Sequence, residues 1–215
     1  MNIVLFGKEV FMNTLRLNSR GPEVELLQST LQKLGLYTGA IDGIFGFQTF
    51  TAVQHFQREN GLTVDGIVGP NTWNALMPYI NGYITYTIKQ GDTLFKIAQE
   101  YSTTVDAIIT ANSQIEPNNL TIGEQIIVPF GSVVPTNISY TSQILNMNIS
   151  ALKTIYPFLE VSTIGTSVLG RNLQAIRLGT GTKEVFYSGA IHRKRMDNCS
   201  TFNEVFRKFI KKLCK

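Results

Sequence analysis

The chain is poor in the residues by which most activities are recognised. Its 215 residues include only two histidines, two cysteines and one tryptophan. Cys199 and Cys214 form neither a Cys-x-x-Cys pair nor a disulfide framework. No stretch approaches the roughly 20 apolar residues that cross a bilayer, which argues against a membrane-embedded function. The opening, MNIVLFGKEVFM, has a short apolar run broken by Lys8 and Glu9, and no secretory signal is expected there. Charged residues make up 16% of the chain and hydrophobic ones 43%, a globular composition and not a disordered one.

The net charge of +4 invites a nucleic-acid partner, but its distribution argues against one. From Arg193 to Lys215 there are eight basic and two acidic residues, so this tail alone carries +6 and the rest of the chain −2. Neither nucleic acid nor an anionic membrane is expected as a partner, and the tail reads as an aberrant segment from residue 193 onward.

Three segments follow one another, about 1–80, 83–130 and 138–215. In the first, Pro22 opens a helix where its missing donor costs nothing. Val24, Leu27, Leu31 and Leu34 mark one face, and Gly35 is the stop. A second helix is predicted from Gln48 to Glu59, with Ala52, Val53 and Phe56 inward and Gly61 beyond its end. A third starts at Pro70 and carries Trp73 and Leu76. Turns reading IDGIFGFQT and VDGIVGPNT precede the second and third helices, so Asp-Gly-Ile-x-Gly recurs 23 residues apart. Asp42 and Asp65 can each cap nearby backbone donors there.

The stretches RGPEVELLQSTLQKLGLY, DGIFGFQTFTAVQHFQRENGL and VDGIVGPNTWNAL resemble the three-helix peptidoglycan-binding domain of bacterial wall hydrolases. The resemblance implies a groove beside the DGIFG turn for wall glycan or stem peptide. Its candidate residues are Asp42, Gly43, Phe45, Gly46 and Thr49. Phe45 stands out, because an aromatic just before a helix start has no periodic reason to be buried.

The second segment alternates as a strand in YITYTIK and turns at GDT. LFKIAQEY then reads as a helix, VDAIITAN as a second one capped by Thr103 or Thr104, and EQIIVP as a closing strand. A core this small suits a compact module better than an enzyme. YTIKQGDTLFKIAQEY, ITAN and NNLTIGEQIIVP resemble the LysM domain, a module for N-acetylglucosamine polymers. The resemblance implies a shallow groove between the loop after the first strand and the loop before the second. Gly91, Asp92, Thr93 and Leu94 would line one side. Asn112, Ile115, Pro117, Asn119, Leu120 and Ile122 would line the other. Thr93 doubles as a helix cap, and Leu94 and Leu120 suit a core as well as a contact.

The third segment predicts a helix over Ile144–Tyr156 and strands in LEVSTIGTSV, LQAIRLG and EVFYSGA. SVLGRNLQAIRLG and VFYSGAIH resemble the N-terminal part of zinc carboxypeptidases, closest to enzymes that cut the γ-D-glutamyl–diaminopimelate bond of stem peptides. Only the opening portion of such a domain is expected here, so self-association through its incomplete edge is expected too. In that family the last strand ends in His-x-x-Glu. Here His192 takes the first ligand position and Arg195 stands where the glutamate belongs. A catalytic zinc needs three protein ligands and an open position, so the expectation is a remnant site, no bound cofactor and an inactive chain. A one-base insertion would account for the tail; the alternative is a native divergent helix with Phe206, Phe209, Ile210 and Leu213 as its apolar face. The codons GCA AAC GAA TGG ATA ACT spell Ala-Asn-Glu-Trp-Ile-Thr, the sequence the family predicts after His192; prefixed with C, they read Arg-Lys-Arg-Met-Asp-Asn, which is Arg193–Asn198.

The overall expectation is a multidomain α+β chain: a three-helix domain, a βααβ LysM module, and an incomplete α/β zinc-carboxypeptidase-like domain. Two modules would grip peptidoglycan in the cell wall or spore envelope. The alternative is a zinc metallopeptidase acting on stem peptides.

Overall fold

The computed structural model describes residues 12–131, 133–135, 137–168 and 170–177. They fall into two compact units, one holding residues up to Ile80 together with Asn137–Met147, the other Asn81–Thr136 with those from Asn148 onward.

The first unit is built on three helices, α1 (Pro22–Lys33), α2 (Phe47–Glu59) and α3 (Pro70–Asn81). Pro22 occupies the first turn of α1, as its fixed φ favours. The chain leaves α1 and α2 in the same way. Gly35 and Gly61 take positive φ, and Leu36 N and Leu62 N donate back to Leu31 O and Gln57 O at 2.9 and 2.8 Å. Val24, Leu27, Leu31, Val53, Phe56, Trp73 and Leu76 form one core. Two isolated antiparallel bridges, Arg20 to Ile44 and Leu15 to Val68, tie the inter-helix turns to the segment before α1.

The core draws on residues beyond the second segment. Ile144 and Met147 are buried in it, and Ile138 and Tyr140 pack against it. Ser139 donates from its backbone N to the Glu25 carboxylate. The sequence alone predicts a third domain from residue 138 onward. In the structure, residues 137–147 belong with the first unit, because their apolar side chains complete its core.

In the second unit, β1 (Tyr83–Thr87) and β2 (Gln125–Pro129) pair antiparallel, with Tyr83 opposite Pro129 and Thr87 opposite Gln125. Between them lie α4 (Leu94–Glu100) and α5 (Val105–Ala111). Thr93 caps α4, its side chain accepting from Lys96 N, and Thr104 caps α5, accepting from Ala107 N. Tyr86, Ile88, Leu94, Ile97, Ile108, Ile126 and Val128 make a second, separate core. Asn112 fastens the end of α5 to β2. Its amide donates to Ile108 O and Ile127 O, both at 2.7 Å, and its Oδ1 accepts from Ile127 N at 2.8 Å.

Further along, α6 (Ser142–Ile155) is followed by the hairpin of β3 (Glu160–Thr166) and β4 (Asn172–Arg177), antiparallel with a register shift between Thr163 and Gly165. The helix and two strands expected here are present, with ends moved by one or two residues. The expected strand EVFYSGA, the ligand position His192 with Arg195, and the basic tail lie outside the described residues. Among the described residues, no helix is long and apolar enough to cross a membrane.

Candidate functional site

The two Asp-Gly-Ile-x-Gly turns of the first unit are held by the same device, used twice. Gln28, fully buried on α1, donates from Nε2 to Asp42 Oδ1 (2.9 Å), Ile44 O (3.1 Å) and Thr49 Oγ1 (3.2 Å). Its Oε1 accepts from Asp42 N and Gly43 N at 3.1 and 3.0 Å. On α2, Gln57 repeats the pattern with Asp65 Oδ1 (2.9 Å), Ile67 O (2.9 Å) and Thr72 Oγ1 (3.2 Å), and accepts from Gly66 N at 2.8 Å. Each aspartate also accepts the backbone N two residues on, Ile44 N at 2.9 Å and Ile67 N at 2.8 Å. These bonds favour the ionised form. The Gln28 amide and then Ile44 N hold the Asp42 carboxyl below its ordinary value; Ile67 N and then Gln57 do the same for Asp65.

This arrangement revises the site expected for the first unit. Phe45 is 0% exposed and lies in the core, so its reading as an exposed contact is corrected. Its backbone pairs in strand fashion with the segment before α1: Phe45 N donates to Ser19 O, and Asn18 N to Phe45 O, both at 2.9 Å. That pairing, not helical periodicity, turns the ring inward. Val68, 23 residues later, is buried in the same way. Thr49 and Gly43 are buried as well, and Asp42 and Thr49 are engaged by Gln28. The turn residues therefore build the scaffold. The two glutamines that organise it were missed. The signal was there: each lies four residues after an inward valine, Val24 and Val53, as a polar residue on an apolar helix face.

In the second unit, the loop after β1 is pinned by Asp92. Its Oδ2 accepts from Lys89 N and from the Tyr86 hydroxyl, both at 2.8 Å. These bonds, Lys89 N first, lower the Asp92 pKa, while the carboxylate beside it, with burial, pushes the Tyr86 phenol up to about 12. Gly91 takes positive φ, and its carbonyl accepts from Lys96 Nζ at 2.9 Å. The loop before β2 runs alongside, since Ile88 N donates to Glu124 O and Gly123 N to Ile88 O, both at 2.9 Å. These bonds join Ile88, just before one predicted wall, to Gly123 and Glu124, just after the other. Pro117, Asn119 and Ile122 stand exposed on one wall and Gly91 and Thr93 on the other. Leu94 and Ile115 are buried in the core, Leu120 is half-buried against it, and Asn112 is engaged in fastening α5 to β2. Phe95, beside Thr93, is 70% exposed and was not singled out from the sequence. Among the described residues no three His, Cys, Asp or Glu side chains come together as a metal centre.

Comparison with known proteins agrees with this two-part layout. Residues 20–76 match the peptidoglycan-binding domain family and residues 86–129 the LysM domain family. The first unit thus carries a peptidoglycan-binding domain and the second a LysM domain. Among curated relatives, the chain is 54% identical over 56 residues to N-acetylmuramoyl-L-alanine amidase CwlM of Mycobacterium tuberculosis, covering 26% of this chain and 14% of that protein. It is 38% identical over 96 residues to the spore cortex-lytic enzyme of Bacillus cereus, covering 44% of this chain and 37% of that one. A solved structure, the SleB N-terminal domain, is 41% identical, with 30% of this chain and 88% of that chain covered and a TM-score of 0.30. The chain spans at most 37% of the length of these two curated relatives.

Proposed function

We propose that this chain binds peptidoglycan through two modules and works as the wall-targeting part of a wall-lytic protein, in the cell wall or spore envelope. The observation that supports this best is the succession of the two family matches on two separately cored units. Gly91, Asp92, Thr93, Pro117, Asn119 and Ile122 would hold an N-acetylglucosamine-containing strand. Backbone groups and hydroxyls would meet its acetamido groups, and Ile122 its methyl groups. Leu94, Ile115 and Leu120 would shape the floor, and Asn112 would hold the wall in place. In the first module, Asp42, Gly43, Gly46, Phe45 and Thr49 would act by fixing the turn. A wall is a dense repeating polymer, so two weak modules on one chain raise the effective concentration of each for the other. The test is co-sedimentation of the full chain with purified insoluble peptidoglycan, with soluble N-acetylglucosamine oligomers as competitor. Pelleting that the oligomers reduce supports the reading; a chain that stays in the supernatant refutes it.

The third segment is the opening of a zinc-carboxypeptidase-like domain in this reading, on the strength of SVLGRNLQAIRLG and VFYSGAIH. Stem peptides would be its substrate class, its edge strands would favour self-association, and the basic tail would stem from a frameshift. The chain's only histidines are His55 and His192, and His55 lies on α2 of the first unit. No catalytic step through zinc follows from that donor set. Elemental analysis and an assay on a γ-D-glutamyl–diaminopimelate peptide test this: one equivalent of zinc with turnover would replace the binding reading with the metallopeptidase one.

A further inference from the structure

The turn residues of the first module are committed to its scaffold, yet a groove of about 480 Å³ opens beside them, within the size range of small-ligand sites. Tyr37 and Thr38 form one wall; Phe47, Gln48, Thr51 and His55 form the other. Phe47, Thr51 and His55 lie at four-residue spacing, so they form one stripe along α2. Phe47 is the first residue of that helix and is 77% exposed. None of the nine lining residues is Lys, Arg, Asp or Glu.

The internal repeat shows what the fold itself requires at these places. At the same 23-residue offset, Phe47 corresponds to Pro70, Gln48 to Asn71, Thr51 to Asn74 and His55 to Pro78. A second depression takes in two of these four counterparts, Pro70 and Asn71, but it is about 190 Å³, has no aromatic lining residue and includes Asp65. Proline at the first helical position is the choice that favours helix formation. An exposed phenylalanine there is not demanded by folding; hydroxyl and amide groups line both depressions, but the first groove alone of the two has an aromatic face and an imidazole, where the counterparts of Phe47 and His55 are Pro70 and Pro78.

We infer that this groove is the ligand site of the first module and that it takes an uncharged N-acetylated sugar of the glycan strand, with the ring's apolar face on Phe47 and its hydroxyl and acetamido groups on Gln48, Thr51 and His55. The inference rests on the peptidoglycan-binding reading and names the site and ligand class within it. A stem peptide carries free carboxylates, which a wall without Lys or Arg does not neutralise. A neutral pyranose has apolar and hydroxylated faces that match this lining.

The test is a chemical-shift titration of the full isotope-labelled chain, with the N-acetylglucosamine tetramer and, separately, a γ-D-glutamyl–diaminopimelate tetrapeptide. The sugar should shift the amides of Thr38, Gln48, Thr51 and His55 as a set distinct from residues 91–122. Phe47→Ala should weaken that set about tenfold, the loss expected when the ring covering one ligand face is removed, and leave the residues 91–122 set unchanged. Phe47→Tyr should restore it. Silence of the groove amides toward the sugar, shifts with the tetrapeptide alone, or an unaltered Phe47→Ala titration would overturn the inference. If the chain pellets with peptidoglycan while the groove stays silent, this site assignment fails and wall binding stands. If it does not pellet at all, the functional reading itself fails.

Discussion

Replacing Gln28 with alanine should unfold the first module while sparing the second. Gln28 is fully buried, and its Oε1 serves two backbone donors, Asp42 N and Gly43 N. Asp42 is exposed and water can replace its partner, but Gly43 is buried. A buried donor left unsatisfied costs about 1–3 kcal/mol. On the other side, the two hydrogens of Nε2 are shared among Tyr37, Asp42, Ile44 and Thr49. Losing them, with the cavity the side chain leaves, adds about 2 kcal/mol. The sum, about 3–5 kcal/mol, matches what a core of this size supplies in total. Trp73, the chain's single tryptophan, is 3% exposed in the first core and donates from Nε1 to Asn13 O at 2.9 Å, so its fluorescence in urea reports this module alone. Gln32→Ala, on the exposed face of the same helix, is the control, with an expected change below about 0.5 kcal/mol. A Gln28→Ala chain whose tryptophan transition moves by less than about 1 kcal/mol would show that the buried amide does not hold the turn.

Other outcomes follow from the same geometry. Asn112→Ala removes three side-chain bonds, two of them to Ile127 of β2, and should cost the LysM module about 2–3 kcal/mol, read as faster amide exchange at Ile127 with an unchanged tryptophan transition. Gly66→Ala should destabilise the first module by about 2–4 kcal/mol, because the residue has φ +71° and a Cβ there would meet the Phe50 ring at 2.2 Å; urea denaturation reads this. Asp42, Asp65 and Asp92 titrate below their ordinary values in the folded chain, so their contribution is full above about pH 4 and is lost as pH falls through those lowered values. Thermal melts should therefore hold level down to about pH 5 and drop below about pH 4. The raised Tyr86 phenol has the opposite sign: LysM stability should persist below about pH 10 and fall as pH rises toward about 12.

Helices and caps were legible in the sequence where local chemistry decides them. Pro22, Gly35, Gly61, Thr93 and Thr104 mark helix ends by backbone and capping preferences that need no tertiary context. Phe45 was misread because its burial comes from strand-like pairing with Ser19 and Asn18, far from any helical period. The repeat held the correction, since the variable position of Asp-Gly-Ile-x-Gly is apolar in both copies, Phe45 and Val68. Gln28 and Gln57 escaped notice because a glutamine on an apolar stripe looks like a pattern error until the turn it serves is in place. Phe47 and His55 were invisible for the opposite reason: nothing in spacing alone distinguishes a groove wall from ordinary exposed surface. The assignment of residues 137–147 to the first core likewise needed long-range packing, which periodicity cannot report.

The central claim, that one chain grips the wall with two modules, is tested most directly by the dissociation constant for purified insoluble peptidoglycan. It should be measured on the unaltered chain and on Gln28→Ala, in which the first module is lost. The variant should still bind through the LysM module, but more weakly than the unaltered chain by at least about a hundredfold, as loss of tethered second-site binding dictates. Equal binding by the two, or none by the unaltered chain, would contradict the claim.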